Sequence, residues 1–321
     1  MSQTYLKSIS NLIFICICLL TLSTTAPAAI PKTASLSQKL ESLKSKIPVK
    51  TESQLIFDIP VSYNPNVAKW ISYYQGRGRK WYREWLERSF KYLPYLQKEL
   101  RRAGVPTDLA YMVMVESGFS FHAESTADAV GPWQFIESTG KRYGLNVSWW
   151  LDERKDIAKS TQAAIRYLQD LYRDFGSWYL VAASYNMGEN GLRRRIQKYH
   201  TNDYWRLVQL KALPEETREY VPKILAAMLI AKAPSLYGFR DIEQPAPMDF
   251  EYVTVAGGVD LNQLADFLNV TRKSLKDLNA ELLVAYVPKN ISQFRIKVPK
   301  GAQKMTIAFF DIQKERLLLR Q

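Results

Sequence analysis

Cysteine is scarce in this chain. Its 321 residues include two, Cys16 and Cys18, and both lie in an apolar run near the N-terminus. Without that run no thiol remains, which excludes a disulfide framework and a cysteine nucleophile. Acidic charge is also short, with 31 Asp+Glu against 44 Lys+Arg and a net charge of +13. A basic balance suits nucleic acid, an anionic membrane face or an anionic polymer. No zinc-ligand array, RNP-like run or basic heptad accompanies it, so nucleic acid is not the expected partner. Period-two alternation is missing from 66 to 233, which argues against a sheet there. The hydrophobic share of 47% against 23% charged excludes wholesale disorder.

The N-terminus is informative about compartment. Lys7 precedes the apolar run Leu12 to Leu20, and Thr-Ala-Pro-Ala-Ala follows at 25 to 29. This is the layout of a secretory signal peptide, assigned to residues 1–29. Cleavage near Ala28 or Ala29 removes one basic and no acidic group. An uncleaved anchor is the alternative, although the run is short for a span of about 20 residues. The residues before Cys16 and Cys18 lack the small side chains of a lipoprotein cleavage site. Residues 30–65 read as a linker with room for one short helix, ending in an extended arm from Leu55 to Pro65.

From Asn66 onward the pattern is helical. Trp70, Tyr73 and Tyr74, then Trp81, Trp85, Phe90 and Leu93, mark an apolar stripe that Gly76 and Gly78 interrupt and Gly104 ends. Arg77, Arg79, Lys80 and Arg83 read as a solvated face. Pro106 and Thr107 start the next helix, with Thr107 as its N-cap. A loop over 120 to 130 leads to a short helix from Gln134 to Tyr143. Asp156 to Phe175 is a long amphipathic helix, and Trp178 to Tyr185 a buried apolar one. Pro214 opens a last helix through Lys232. After a proline-marked linker, 236–249, the pattern becomes strand (Tyr252 to Val255), two short helices (Leu261 to Leu268, Ser274 to Leu278) and strand (Phe294 to Val298). A βααβ unit of that size is a plausible binding module. The expected fold class is therefore mainly α, with a small α+β C-terminal module over 250–301 and a tail over 302–321.

One carboxylate stands out. Leu109, Met112, Val113 and Glu116 fall at i, i+3, i+4 and i+7, so they share a helix face. A glutamate in an apolar slot is costly unless it is neutral or paired. Position alone leaves two readings open: a functional acid, or a helix end leaning into solvent before Gly118. The aromatic content of 12% is similarly two-sided, fitting a sugar-stacking surface or bulky core packing.

Four features line up in order: Glu116-Ser117, Gly131-Pro132-Trp133-Gln134, Tyr185-Asn186-Met187-Gly188, and Glu216-Thr217-Arg218-Glu219-Tyr220-Val221. Together they resemble the lytic transglycosylases of glycoside hydrolase family 23, and within it the group of membrane-bound lytic murein transglycosylase D. The likeness spans roughly 90–235, the core of a domain drawn over 66–235. It implies a lysozyme-like helical fold that cuts the β-1,4 bond between N-acetylmuramic acid and N-acetylglucosamine in peptidoglycan. Glu116 then matches the single catalytic acid. Ser117, Gln134, Tyr185 and Asn186 match groups lining the sugar cleft, and Tyr220 a tyrosine that hydrogen-bonds near the acid. Met187 stands where a small residue is common.

Glycosidases usually use two carboxylates, about 5 Å or about 6.5–9.5 Å apart. In a transglycosylase the muramic 6-hydroxyl is the nucleophile, so one group serves as acid and then as base. No metal or cofactor is needed. Glu124, Asp128 and Glu137 are the nearest candidates for a second carboxylate, and one of them positioning a water would make the protein a lysozyme instead. A catalytically silent wall-binding protein is the third reading. The C-terminal unit resembles a diverged LysM module, on Val253 to Val255, Leu264-Ala265, Leu278-Asn279 and Ile296 to Pro299. Gly258-Val259-Asp260 replaces the usual Gly-Asp-Thr, and 284 to 293 departs from the pattern, so glycan binding and a structural cap both stay open. The resemblance implies peptidoglycan strands as partner and the periplasm or cell envelope, with membrane association, as location.

Overall fold

The computed structural model describes residues 55–318. Residues 1–29, expected to be a signal peptide, and the expected linker up to residue 54 lie outside the described residues. Residues 55–64 form the extended arm that the sequence predicts. Pro65 then opens α1 (Pro65–Gln75), capped by Asn64, whose side-chain oxygen accepts from the N–H of Asn66 and Val67 at 3.0 and 3.2 Å. Helix α2 (Arg79–Arg102) ends through Gly104, whose φ of +69° lets the Val105 N–H reach the Leu100 carbonyl at 3.0 Å.

The buried stripe of α2 is Tyr82, Leu86, Tyr92, Leu96 and Leu100, one step from the stripe read in the sequence, and Trp81 is 55% exposed. The reason is polar satisfaction. The Tyr82 hydroxyl donates to the Ala227 carbonyl at 2.7 Å, so a residue that ranks below tryptophan in apolarity occupies the core.

A 3₁₀ turn (Thr107–Ala110) leads into α3 (Tyr111–Ser117). Thr107 is not the cap that was expected. The Asp58 carboxylate accepts from the N–H groups of Thr107 and Asp108 at 2.5 and 2.9 Å, and the Asp108 carboxylate accepts from the Asp58 N–H at 2.9 Å. Asp108 also pairs with Lys232 at 2.5 Å. The arm thus caps this turn from across the fold, which no local pattern reveals.

The body continues with α4 (Glu137–Arg142), α5 (Ile157–Phe175), α6 (Trp178–Met187), α7 (Glu189–Tyr199), α8 (Tyr204–Gln209) and α9 (Glu215–Lys232). Helices α6 and α9 are its centre, with Leu180, Val181, Ile224, Leu225 and Met228 all buried. Burying each such side chain is worth roughly 1.5–3 kcal/mol. Helix α4 starts later than expected and leaves Gln134 in a turn. Helices α7 and α8 have no counterpart in the sequence reading, because α7 buries only Leu192 in a run dominated by charge.

Arg79 and Arg83 are more than a solvated face. Arg79 stacks 4.5 Å from the Phe239 ring and donates to the Gly238 carbonyl at 2.6 Å, while Arg83 donates to the carbonyls of Arg240 and Asp241. Together they hold the start of the linker.

Beyond the linker, β1 (Phe250–Val255) and β2 (Phe294–Pro299) pair antiparallel, Phe250 opposite Pro299 and Val255 opposite Phe294. Helices α10 (Leu261–Phe267) and α11 (Arg272–Leu278) connect them. Where a tail was expected after 301, α12 (Gln303–Leu318) forms instead, with Thr306 and Phe309 buried. Among the described residues no helix is long and apolar enough to cross a membrane.

This module is fastened to the helical body. Lys297 on β2 is fully buried and pairs with Asp156 at 2.8 Å and Glu281 at 2.6 Å, and Asp156 is also the N-cap of α5. Burial raises the Glu281 carboxyl, whereas Lys297 holds Asp156 below its usual range in spite of burial. Main-chain bonds run alongside, from the Asp152 N–H to the Glu281 carbonyl at 2.8 Å and from the Leu283 N–H to the Trp150 carbonyl at 2.9 Å. Removing the ammonium would strand two buried carboxylates. Lys297→Met is therefore expected to lower unfolding stability by about 3–5 kcal/mol, as read from chemical denaturation.

Candidate active site

Glu116 is the penultimate residue of α3, whose Met112 and Val113 are buried, as is Leu109 in the 3₁₀ turn before it. Gly118 closes the helix with φ +55°, and a Cβ there would lie 2.2 Å from Trp85, so the turn admits glycine alone without a shift. The Tyr220 hydroxyl from α9 donates to Glu116 Oε1. Part of the Glu116 residue still faces solvent, but its carboxyl is enclosed densely enough that desolvation dominates and pushes it up to about 7. The negative field of Glu216 adds to the rise, while the Tyr220 hydrogen bond and the Lys223 charge oppose it. Burial and the neighbouring Glu116 together keep the Tyr220 phenol well above its ordinary range, so it stays a donor.

Three further residues singled out in the sequence meet at one place, the turn Gly131-Pro132-Trp133-Gln134. Val130 and Phe135 close it with a reciprocal pair of main-chain bonds at 3.0 and 3.2 Å. Ser117 Oγ donates to the Pro132 carbonyl at 2.9 Å, and the Tyr185 hydroxyl to the Trp133 carbonyl at 2.7 Å. The Gln134 amide, at φ +49°, donates to the carbonyls of Ala123 and Gly131 at 3.1 and 2.9 Å. The buried Trp133 indole donates to Thr161 on α5 at 2.9 Å. These side chains fasten the turn beside Glu116. Asn186 stands apart from them. It donates to Glu216 at 3.1 Å and accepts from the Thr217 hydroxyl at 2.7 Å, tying the end of α6 to the start of α9.

The sequence reading missed what lies beneath the turn. The Arg154 guanidinium is buried against Asp152, with bonds at 3.0 and 2.8 Å, and its remaining nitrogen donates to the carbonyls of Asp128 and Phe135 at 3.0 and 3.3 Å. It bridges both flanks of the turn. An Asp-Glu-Arg-Lys run reads as surface charge, so no sequence signal pointed to it. Glu216 was quoted only as part of a motif and Lys223 was given no role, although both charges bear on Glu116. Two of the three carboxylates proposed as second catalytic groups are paired with lysines, and the third lies in an exposed turn. Glu124 pairs with Lys155 at 2.7 Å, Glu137 with Lys141 at 2.5 Å, and Asp128 occupies an exposed turn at φ +56°. Among the described residues no group of three or more His, Cys, Asp or Glu could hold a metal ion.

The fold is a helical body, in which Glu116 is desolvated and held by a tyrosine, followed by a small strand–helix module. Residues 94–208 match the transglycosylase SLT domain, and residues 249–309 match the LysM-like domain of lytic transglycosylase MltD, so the chain carries both domains in that order. Membrane-bound lytic murein transglycosylase D of Escherichia coli K12 is 33% identical over 218 residues, covering 66% of this chain. The chain spans 47% of that relative's length. Among solved structures, the 70 kDa soluble lytic transglycosylase of Escherichia coli aligns over 56% of this chain and 31% of its own, at 22% identity and a TM-score of 0.39. An inactive mutant of lytic transglycosylase Slt from Pseudomonas aeruginosa aligns over 44% and 24%, at 19% identity and a TM-score of 0.37.

Gly131 has φ +83°, and a Cβ there would lie 2.0 Å from the Arg154 carbonyl oxygen. Gly131→Ala is expected to cost at least about 2 kcal/mol of stability, measured by denaturant unfolding, because both the dihedral and the contact are violated.

Proposed function

We propose that this protein is a peptidoglycan lytic transglycosylase that cleaves the β-1,4 bond between N-acetylmuramic acid and N-acetylglucosamine, leaving 1,6-anhydromuramic ends. The observation that carries the reading is the state of Glu116: one carboxyl, raised to about 7 by burial, with Tyr220 bound to it. A group poised there is protonated often enough to donate to the leaving oxygen and basic enough to take the 6-hydroxyl proton afterwards. Tyr220 orients the carboxyl. Ser117, Gln134 and Tyr185 act on the sugar through the turn they hold, together with the acceptor positions their own bonds leave free. Asn186 fixes the wall on which Glu216 stands.

The setting we propose is the cell envelope, where a chain of net charge +13 meets an anionic wall polymer. The C-terminal module serves as a fixed cap on the catalytic body, a reading supported by the buried Lys297 contacts. A hydrolytic reading draws support from Glu216, whose field reaches Glu116 and which could position a water. Mass spectrometry of digested peptidoglycan separates the two. Anhydro ends are expected, and reducing ends would make the protein a lysozyme.

Glu116→Gln keeps shape and removes the proton, so digestion of purified peptidoglycan is expected to fall to background. Stability should move the other way. The folded carboxyl titrates at about 7 against an ordinary 4.5, so wild-type stability is full below about 4.5 and declines as pH rises toward 7. The Gln variant lacks that decline and should melt higher than wild type at pH 8, with no difference at pH 4. The rate should likewise fall as pH rises through about 7. Glu216→Gln removes a negative field and should shift that fall to lower pH. Lys223→Met removes a positive one and should shift it higher. A pH–rate profile for each variant reads the sign.

A further inference from the structure

The segment beneath the turn 131–134 is anchored to the C-terminal module at both of its ends. On one side the Asp152 N–H donates to the Glu281 carbonyl at 2.8 Å, and the Trp150 carbonyl accepts from the Leu283 N–H at 2.9 Å. On the other, the Asp156 carboxylate meets the buried Lys297 ammonium at 2.8 Å. Lys297 is itself fixed in place. Its N–H donates to the side chain of buried Asn279 at 2.7 Å, and its carbonyl accepts from the same side chain at 2.7 Å. Arg154 stands midway between these anchors, in a 3₁₀ turn (Glu153–Lys155).

The guanidinium of Arg154 grips Asp152 through Nε and one terminal nitrogen, at 3.0 and 2.8 Å. Its other terminal nitrogen donates to the carbonyls of Asp128 and Phe135, on the two flanks of the turn. The Arg154 carbonyl oxygen lies so close to Gly131 that a Cβ there would come within 2.0 Å of it. The turn therefore rests on the main chain of residue 154 and is held by its side chain. It is also bonded to Ser117, the neighbour of Glu116. A second link to the module, His122 at 3.7 Å from Asp277, is largely exposed and contributes little. The buried route is the stiff one, since a close-packed interior transmits a displacement.

We infer that Arg154 is a positioning residue for the reaction at Glu116, and that the C-terminal module sets its place through Lys297 and the Glu281 main chain. The inference rests on the transglycosylase reading and goes beyond the module's role as a cap. The module becomes part of what holds the turn in register beside Glu116.

The test is a double-mutant cycle in the full chain, with soluble glycan strands from purified peptidoglycan as substrate. Arg154→Lys keeps a charge for Asp152 but lacks the fork that also reaches the two carbonyls. In Arg154→Lys and in Lys297→Met, kcat is expected to fall about tenfold with KM within about twofold, because misplacement raises the barrier without removing uniform binding. The double variant is expected to fall no further than Arg154→Lys, because Lys297 acts through it. Losses that multiply in the double variant would overturn the inference, and so would an unchanged kcat in either single variant. Hydrogen exchange without substrate supplies a second readout. In both single variants the amides of Val130, Gly131 and Phe135 are expected to exchange about tenfold faster while those of α9 keep their protection. Equal quickening across α9 would reduce the link to general destabilisation and overturn it. If Lys297→Met does not fold, Lys297→Met with Asp156→Asn and Glu281→Gln breaks the same link without stranding a charge, and it takes that place in each comparison. Exchange is read without turnover, so a failed transglycosylase reading, seen as reducing ends in digests, registers separately from a failed positioning role.

Discussion

A carboxylate withdrawn from water resists ionisation, and the helical body subjects Glu116 to that resistance while leaving it reachable. Burial raises its proton affinity, and Glu216 adds to the rise. Tyr220 and Lys223 pull in the opposite direction. Desolvation wins by enough to bring the group to about 7, where one residue can act as acid and then as base. Every contributor other than burial comes from α9, so the packing of α3 on α9 sets the chemistry.

The turn 131–134 depends on that constraint in a second way. A tight turn with two positive φ angles points its carbonyls away from any regular ladder, and each must find a donor. Ser117, Tyr185 and Gln134 supply those donors, with Arg154 beneath. Residues that the resemblance assigns to sugar contact therefore have a structural duty first. The C-terminal module joins the same chain of contacts. Lys297 pairs with Asp156, Asp156 caps α5, and Thr161 of α5 anchors Trp133 of the turn.

Much of this was legible in the sequence because it is local. Proline and glycine punctuation predicted the ends of α1, α2, α5 and α9 closely, and the strands of the C-terminal unit were read to within two residues. Glu116 was found because a charge interrupted an apolar period. Errors arose where the deciding partner is far along the chain. Asp58 displaced Thr107 as cap, and Tyr82 displaced Trp81 from the core because Ala227 accepts its hydroxyl bond. Helix α7 was missed because it lies on the surface with a single buried residue.

The sequence by itself determined the mainly helical class, the order of most of the elements and the one carboxylate on which the candidate site centres, since periodicity, capping and turn chemistry act over a few residues. Only the tertiary structure decided what surrounds that carboxylate. Its proton affinity, the clamp on the turn and the buried Lys297 triad are set by distances between segments up to about 140 residues apart. Electrostatic strength depends on such distances and on the water excluded between the groups, and neither is written in local order.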